Sequence, residues 1–145
     1  MNLFKLVDGI EVEMSDAEQS EYDANQAAWV EGAQARLLSS LATHRYSVVN
    51  GGTTINGIAI QTDETSRSDI IAAFIMATAN PNYSIQWKTP NGFVTLGSAA
   101  IISLAGAVAA FVQKAFATEA SLITNISQYS DSTSIAAAFD KGMMS

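Results

Sequence analysis

Apolar and polar residues alternate along 4–7 and again along 10–14, on either side of Asp8-Gly9. That period of two, broken by a pair tolerant of positive φ, predicts a tight β-hairpin at the start of the chain. Ser15-Asp16-Ala17-Glu18 then reads as a capping box, with acids where the helix dipole favours them. A long helix is predicted from 16 to about 43, because Tyr22, Trp29, Val30, Ala33, Leu37, Leu38 and Leu41 recur at helical spacing. Its first half is rich in Ala, Gln and Asn and has little to bury, so it is expected to project into solvent or to pack on a partner. Gly32 is its expected weak point.

From Arg45 the period returns to that of strands. Tyr46-Ser47-Val48-Val49 and 53–61 read as extended, with Asn50-Gly51-Gly52 and Asn56-Gly57 as turns. The second turn sets Ile55 opposite Ile58 and Thr53 opposite Ile60. Thr62 to Ser66 offers several caps for a helix carrying Ile70, Ile71, Phe74 and Ile75 on one side, ended by Asn80-Pro81-Asn82. A further hairpin puts Tyr83, Ile85 and Trp87 on one face, turns at Thr89-Pro90-Asn91-Gly92, and returns through 93–96. The longest apolar pattern, roughly 98 to 128, is apolar nearly all round in its first three turns, which implies burial on several sides. Asp131 caps a last short helix through Phe139, and 142–145 are expected to fray.

The order of elements defines an α+β fold in which short β-hairpins form a small antiparallel sheet packed with long α-helices. Two parts are expected: residues 1–45, an acidic hairpin and long helix acting as a docking arm, and 46–145, a compact α+β domain. Composition adds that only 14% of the 145 residues are charged, against 48% hydrophobic. A surface so poor in charge must be rich in small polar side chains, as surfaces covered by partners often are.

Charge is placed unevenly. Within the first 31 residues eight acids face only Lys5, whereas the six bases and six acids of the remainder cancel. Nucleic acid and anionic membrane both require clustered Lys and Arg, so neither is an expected partner. The acidic head reads either as a docking surface for something basic or as a solvated face. Residues 93–113 lack charge and are long enough to cross a membrane, but a strand-like opening and Gly97, Ser98, Ser103 and Gly106 favour a buried helix. The first five residues carry no basic region leading into a long apolar run, so no cleaved signal peptide is expected.

Reactive groups are few. Cysteine is absent and His44 is the single histidine, which makes a zinc site or an activated nucleophile unpromising. His44-Arg45 is read as a cation pair completing the last turn of the first helix. Asn50-Gly51-Gly52-Thr53-Thr54 lacks the lysine of a phosphate-binding loop and reads as a turn. Glu11 and Glu13 share a strand face, where nothing nearby would split their pKa values, and are read as edge charges that discourage aggregation. No catalytic residue, metal ligand or cofactor is expected. Trp29, on the poorly buried half of the first helix, is expected to be a contact residue, together with Tyr22. Ile101, Leu104, Val108 and Phe111 join them as expected partner-binding positions, because the 98–112 segment carries more apolar surface than two small hairpins could cover.

Three blocks carry a family likeness: Ile58-Ala59-Ile60-Gln61-Thr62-Asp63-Glu64-Thr65-Ser66; Ile85-Gln86-Trp87-Lys88 with Asn91-Gly92-Phe93-Val94-Thr95-Leu96; and residues 107–119. In order and spacing they resemble the uncharacterised C-terminal domain common in phage and prophage proteins encoded near tail-fibre genes. The opening 6–18 is similar to the start of many tail-fibre assembly and fibre-linked phage proteins. Arg67 stands where related chains more often show Gln. The resemblance implies a non-enzymatic phage tail protein, made in the bacterial host cytoplasm and located in the virion tail. Its partners would be other tail-fibre or baseplate proteins and further copies of itself, a trimer being the expected assembly. Two other readings stand beside it: a tail-fibre assembly chaperone absent from the finished particle, and an enzyme acting on envelope glycan, which would need converging acids in a cleft.

Overall fold

The computed structural model describes residues 2–145. Strands β1 (Phe4–Val7) and β2 (Ile10–Glu13) pair antiparallel, with Phe4 opposite Glu13 and Val7 opposite Ile10. Asp8 at φ 53° and Gly9 at φ 81° both occupy the left-handed region that a two-residue turn between right-twisted strands requires. The first helix, α1 (Asp16–Asn50), begins at the expected capping box: the Glu18 amide donates to the Ser15 hydroxyl and the Ser15 amide to the Glu18 carboxylate.

Helix α1 is 35 residues long and runs past the expected end near 43. Residues 46–49, expected as a strand, are its last turns. Between Gly32 and Gly51 no Gly or Pro interrupts the chain, and tertiary packing of Val49, almost fully buried, outweighs the β-propensity of Val48 and Val49. His44 and Arg45 therefore do not complete a terminal turn but sit inside the helix, facing neighbours.

Two further hairpins alternate with helices. Strands β3 (Thr53–Ile55) and β4 (Ile58–Ile60) pair with Ile55 opposite Ile58 and Thr53 opposite Ile60, the register expected from Asn56-Gly57. Helix α2 (Glu64–Ala79) starts at Asp63, whose carboxylate accepts the Ser66 amide. Strands β5 (Ser84–Thr89) and β6 (Gly92–Gly97) lead into α3 (Ser98–Ile123), a 3-10 turn at Ile126–Gln128, and α4 (Ser132–Met144). The last helix is capped at Asp131 and continues to Met144, past Phe139 and through residues expected to fray.

The fold is α+β, but the strands do not gather into one sheet. Among the described residues they form three separate two-stranded antiparallel sheets. A helix of 35 or 16 residues separates each hairpin from the next, and strands of three to six residues leave little edge to share. The second and third hairpins are instead stabilised by packing.

Two apolar clusters make up the core. Ile60, Ile70, Ala73, Ala77, Leu96, Ile101, Leu104 and Val108 form the first, with Tyr83, Ile85 and Trp87 half-buried against it as their alternation predicts. Leu37, Leu41, Val49, Ala115, Ile135 and Phe139 form the second. Helix α3 belongs to both, its first half to one and its second half to the other. Thr62, fully buried, ties the regions together: its hydroxyl donates to the Val49 carbonyl at 2.6 Å and accepts the Gly52 amide at 3.0 Å.

Candidate functional site

The residues expected to meet partners divide into two groups. Tyr22 and Trp29 lie on α1 where every residue from 20 to 31 is exposed, and Trp29 keeps 67% of its surface in solvent. Ile101, Leu104 and Val108 lie inside the first core cluster, so packing within the chain accounts for their apolar character and none is presented on the surface. Phe111 is half-buried. The excess of apolar surface expected on α3 is partly absorbed by α1, α2 and α4, which sequence periodicity does not count.

The exposed end of α1 is one unit with the first hairpin. Lys5 Nζ bonds the Glu18 carboxylate, the Gln19 side-chain amide donates to the Met14 carbonyl at 3.0 Å, and the Met14 amide donates to the Leu3 carbonyl at 2.8 Å. The Lys5 ammonium first, then the amide and hydroxyl of Ser15, hold the Glu18 carboxyl down at about 2. Residues 2–31 thus form an arm whose hairpin is tied to the first turn of α1 and whose helix touches no core over residues 20–31. Cross-strand pairing sets Phe4 and Leu6 on the same hairpin face as Glu13 and Glu11. Phe4, Leu6, Val7, Ile10 and Val12 are all exposed, Leu6 to 72%. Burying none of these costs the hairpin its usual source of stability, and an apolar surface rimmed by charge is the pattern of a contact site.

A second surface was not foreseen. On α2 the buried positions are Ile70, Ala73 and Ala77, while Ile71 and Ile75 are each 60% exposed and Phe74 borders solvent. Ile71 and Phe74, together with Ile102, Ala105, Gly106, Ala109 and Val112 of α3, line an open apolar groove of about 640 Å³, in which Arg67 is the one charged lining residue. The sequence signal available was the mixture of small and large apolar residues all round both helices. Deciding which ones face the core needs the partner elements.

Polar constellations serve the fold. His44 Nε2 lies 2.7 Å from Asp140 Oδ1, and its ring meets Phe139 edge-on at 5.4 Å, joining α1 to α4. Serines 39, 40, 47 and 132 line the shallow cleft beside it, yet among the described residues no hydroxyl bonds His44; that of Ser47 donates to the Thr43 carbonyl. Glu11 and Glu13 stand on the hairpin away from any cavity lining. The described residues hold no group of three His, Cys, Asp or Glu placed to bind a metal. One described helix, α3, is long and apolar enough to cross a membrane; its length is flanked by α1, α2 and α4.

The part of the chain that carries both cores corresponds to a known family. Residues 32–141 match the family described as Domain of unknown function (DUF4376), and the chain belongs to it. The match begins where the exposed arm ends, at Gly32. No curated protein and no solved structure matches the chain.

Proposed function

We propose that the chain is a non-enzymatic component of a bacteriophage tail, a connector at the fibre or baseplate, that attaches to another tail protein through its acidic arm. The observation carrying this reading is the arm itself: three turns of α1 with every residue exposed, bearing Trp29 and Tyr22, joined through the Lys5–Glu18 ion pair to a hairpin whose apolar side chains are uncovered. Exposed tryptophan and tyrosine on a rigid element are typical anchors of protein interfaces. The seven net negative charges of this segment direct it to a partner surface rimmed by Lys and Arg, speeding encounter and fixing orientation. The phage assignment is supported by the likeness of residues 58–66, 85–96 and 107–119 to proteins encoded beside tail-fibre genes. A catalytic role finds no support in the placement of His44 or of Glu11 and Glu13.

Quantitative mass spectrometry of purified particles, from the phage whose genome encodes the chain, tests the proposal. Presence at a fixed ratio to a tail protein is the expected result. Presence during assembly but absence from finished particles would replace the connector with an assembly chaperone. Absence from both, or hydrolysis of envelope glycan lost on changing Glu11 and Glu13, would overturn it.

A further inference from the structure

We propose that Asn56 is a self-modification site: attack by the neighbouring Gly57 nitrogen, followed by water, converts its side-chain amide to aspartate or isoaspartate and loosens the hairpin of β3 and β4. The reaction is independent of the arm and of any partner. Three Asn-Gly pairs occur in the chain, at 50–51, 56–57 and 91–92. In each, the glycine leaves the attacking nitrogen unshielded by a side chain and the backbone free to turn. The fold restrains the three pairs to very different degrees.

At the first pair both reacting groups are occupied. Asn50 ends α1, the Gly51 amide donates to the Val48 carbonyl at 3.2 Å, and the Asn50 side chain donates to the Tyr46 carbonyl at 2.8 Å. The surroundings are also crowded, since a Cβ at Gly51 would lie 2.9 Å from the Ser47 carbonyl oxygen. At the third pair Gly92 opens β6 opposite Thr89, which places its amide at the end of a ladder of six-residue strands. The buried Thr89 hydroxyl accepts the Asn91 main-chain amide at 3.2 Å and donates to the Gly92 carbonyl at 2.8 Å, holding the turn from inside. Pro90 stiffens it further.

Asn56-Gly57 has none of these restraints. Both residues are exposed and stand between strands of three residues each, so the turn opens at little cost. The Gly57 amide lies outside the ladder and donates to no backbone carbonyl among the described residues, and a Cβ built on Gly57 would meet nothing within 4 Å. Once Asn56 leaves its φ of 51°, the deprotonated Gly57 nitrogen bonds to Asn56 Cγ. A cyclic imide closes, and the Cγ–Nδ2 bond breaks with release of ammonia. Water then adds to either imide carbonyl. One opening gives aspartate; the other gives isoaspartate, in which the main chain runs through Cβ and Cγ. The net change is amide plus water to carboxylate plus ammonium, with nothing oxidised or reduced. Isoaspartate inserts a methylene into a turn whose length sets Ile55 opposite Ile58. Both residues pack on the first core, and Asn56 stands at the rim of the small apolar pocket they share with Ile60, Leu96 and Leu104, where a new carboxylate favours the opened hairpin.

Peptide mapping by mass spectrometry of the full chain, kept folded at mildly alkaline pH and sampled over time, gives the test. The Asn56 peptide is expected to gain the mass of the amide-to-acid exchange several times faster than the peptides containing Asn91 or Asn50, with isoaspartate at 56 confirmed by enzymatic methyl labelling. In urea at the same pH, where the fold no longer restrains them, the three rates are expected to draw together. Asp8-Gly9 is an internal control: it shares the turn geometry, with φ of 53° and 81°, but its carboxylate has no ammonia to release and should stay unconverted while Asn56 reacts. The aged chain should melt a few degrees lower. Asn56→Asp, whose side chain also tolerates positive φ, should show no such further drop on ageing. Conversion of Asn91 or Asn50 as fast as Asn56 in the folded chain overturns the inference. So does isoaspartate appearing first at Asp8, a lead of Asn56 that persists undiminished in urea, or an aged chain that melts as the fresh one does.

Discussion

Arg45 Nε donates to Glu119 Oε2 at 2.6 Å, joining α1 to α3. The two side chains are only 19% and 14% exposed, and the guanidinium also lies 4.4 Å from the centre of the Phe116 ring. Removing either member strands the other in a half-dry site. Glu119→Gln and Arg45→Met are each expected to lower unfolding free energy by about 1–3 kcal/mol. The double variant should cost less than the sum of the singles, because each single change already breaks the same contact. Urea unfolding of the four chains measures the coupling.

Phe139 and Trp29 are both large aromatics, and the structure buries the first and exposes the second. Phe139 is fully buried against Leu41, Ala115 and Ile135, so Phe139→Ala is expected to cost about 3–5 kcal/mol. Trp29→Ala removes a side chain that touches no core and should change stability by less than about 0.5 kcal/mol. On the proposed function, its effect should appear instead as weaker attachment to a tail protein. Thermal melting of both variants, set beside their incorporation into particles, separates the two roles.

Acid should loosen the chain in a defined window. Glu18, held at about 2 by Lys5 and Ser15, binds protons less readily folded than unfolded, where its ordinary value is 4.5. Its stabilisation is therefore complete above about 4.5 and is lost as pH falls toward 2. Asp63 and Asp131 shift the same way: the hydroxyl, then the amide, of Ser66 lowers the first, and the amide, then the hydroxyl, of Ser134 lowers the second. Glu18→Gln should flatten the decline of melting temperature between pH 5 and pH 2. An identical slope in the variant would show that the capping box does not sense pH.

Gly142 tests packing against propensity. Alanine in a helix interior ordinarily gains up to about 1 kcal/mol over glycine. Here a Cβ at 142 would fall 2.6 Å from Cγ2 of Thr118, a short branched side chain with little room to turn away. Gly142→Ala is expected to destabilise by roughly 1 kcal/mol. Adding Thr118→Ser, which deletes that methyl, should recover the loss. Scanning calorimetry reads both steps.

How much of this was legible beforehand depended on whether a signal is local. Asp8-Gly9 and Asn56-Gly57 announce their turns because backbone sterics are decided within two residues, and the Ile55–Ile58 register follows from turn length alone. Capping at Ser15 and Asp131 is equally local. The end of α1 was not legible, since Tyr46 to Val49 have strand-like propensity that only the contact of Val49 with the second core overrules. Nor was the separation of the hairpins, a consequence of which helices lie between them. The exposure of Trp29 and Tyr22 could be read from a sparse helix face. That of Ile71 and Ile75 could not, because on α2 the small Ala73 and Ala77 take the buried positions and leave the larger chains outside.

Because α3 contributes to both apolar clusters, neither can come apart without loosening the beam on which the other is built. The family region should therefore give a single calorimetric transition rather than two. On the connector role proposed above, a pull on the arm would pass along α1 into α3, the element both clusters share. A core shared in that way would suit the proposed connector, whose neighbours it would keep at a fixed spacing.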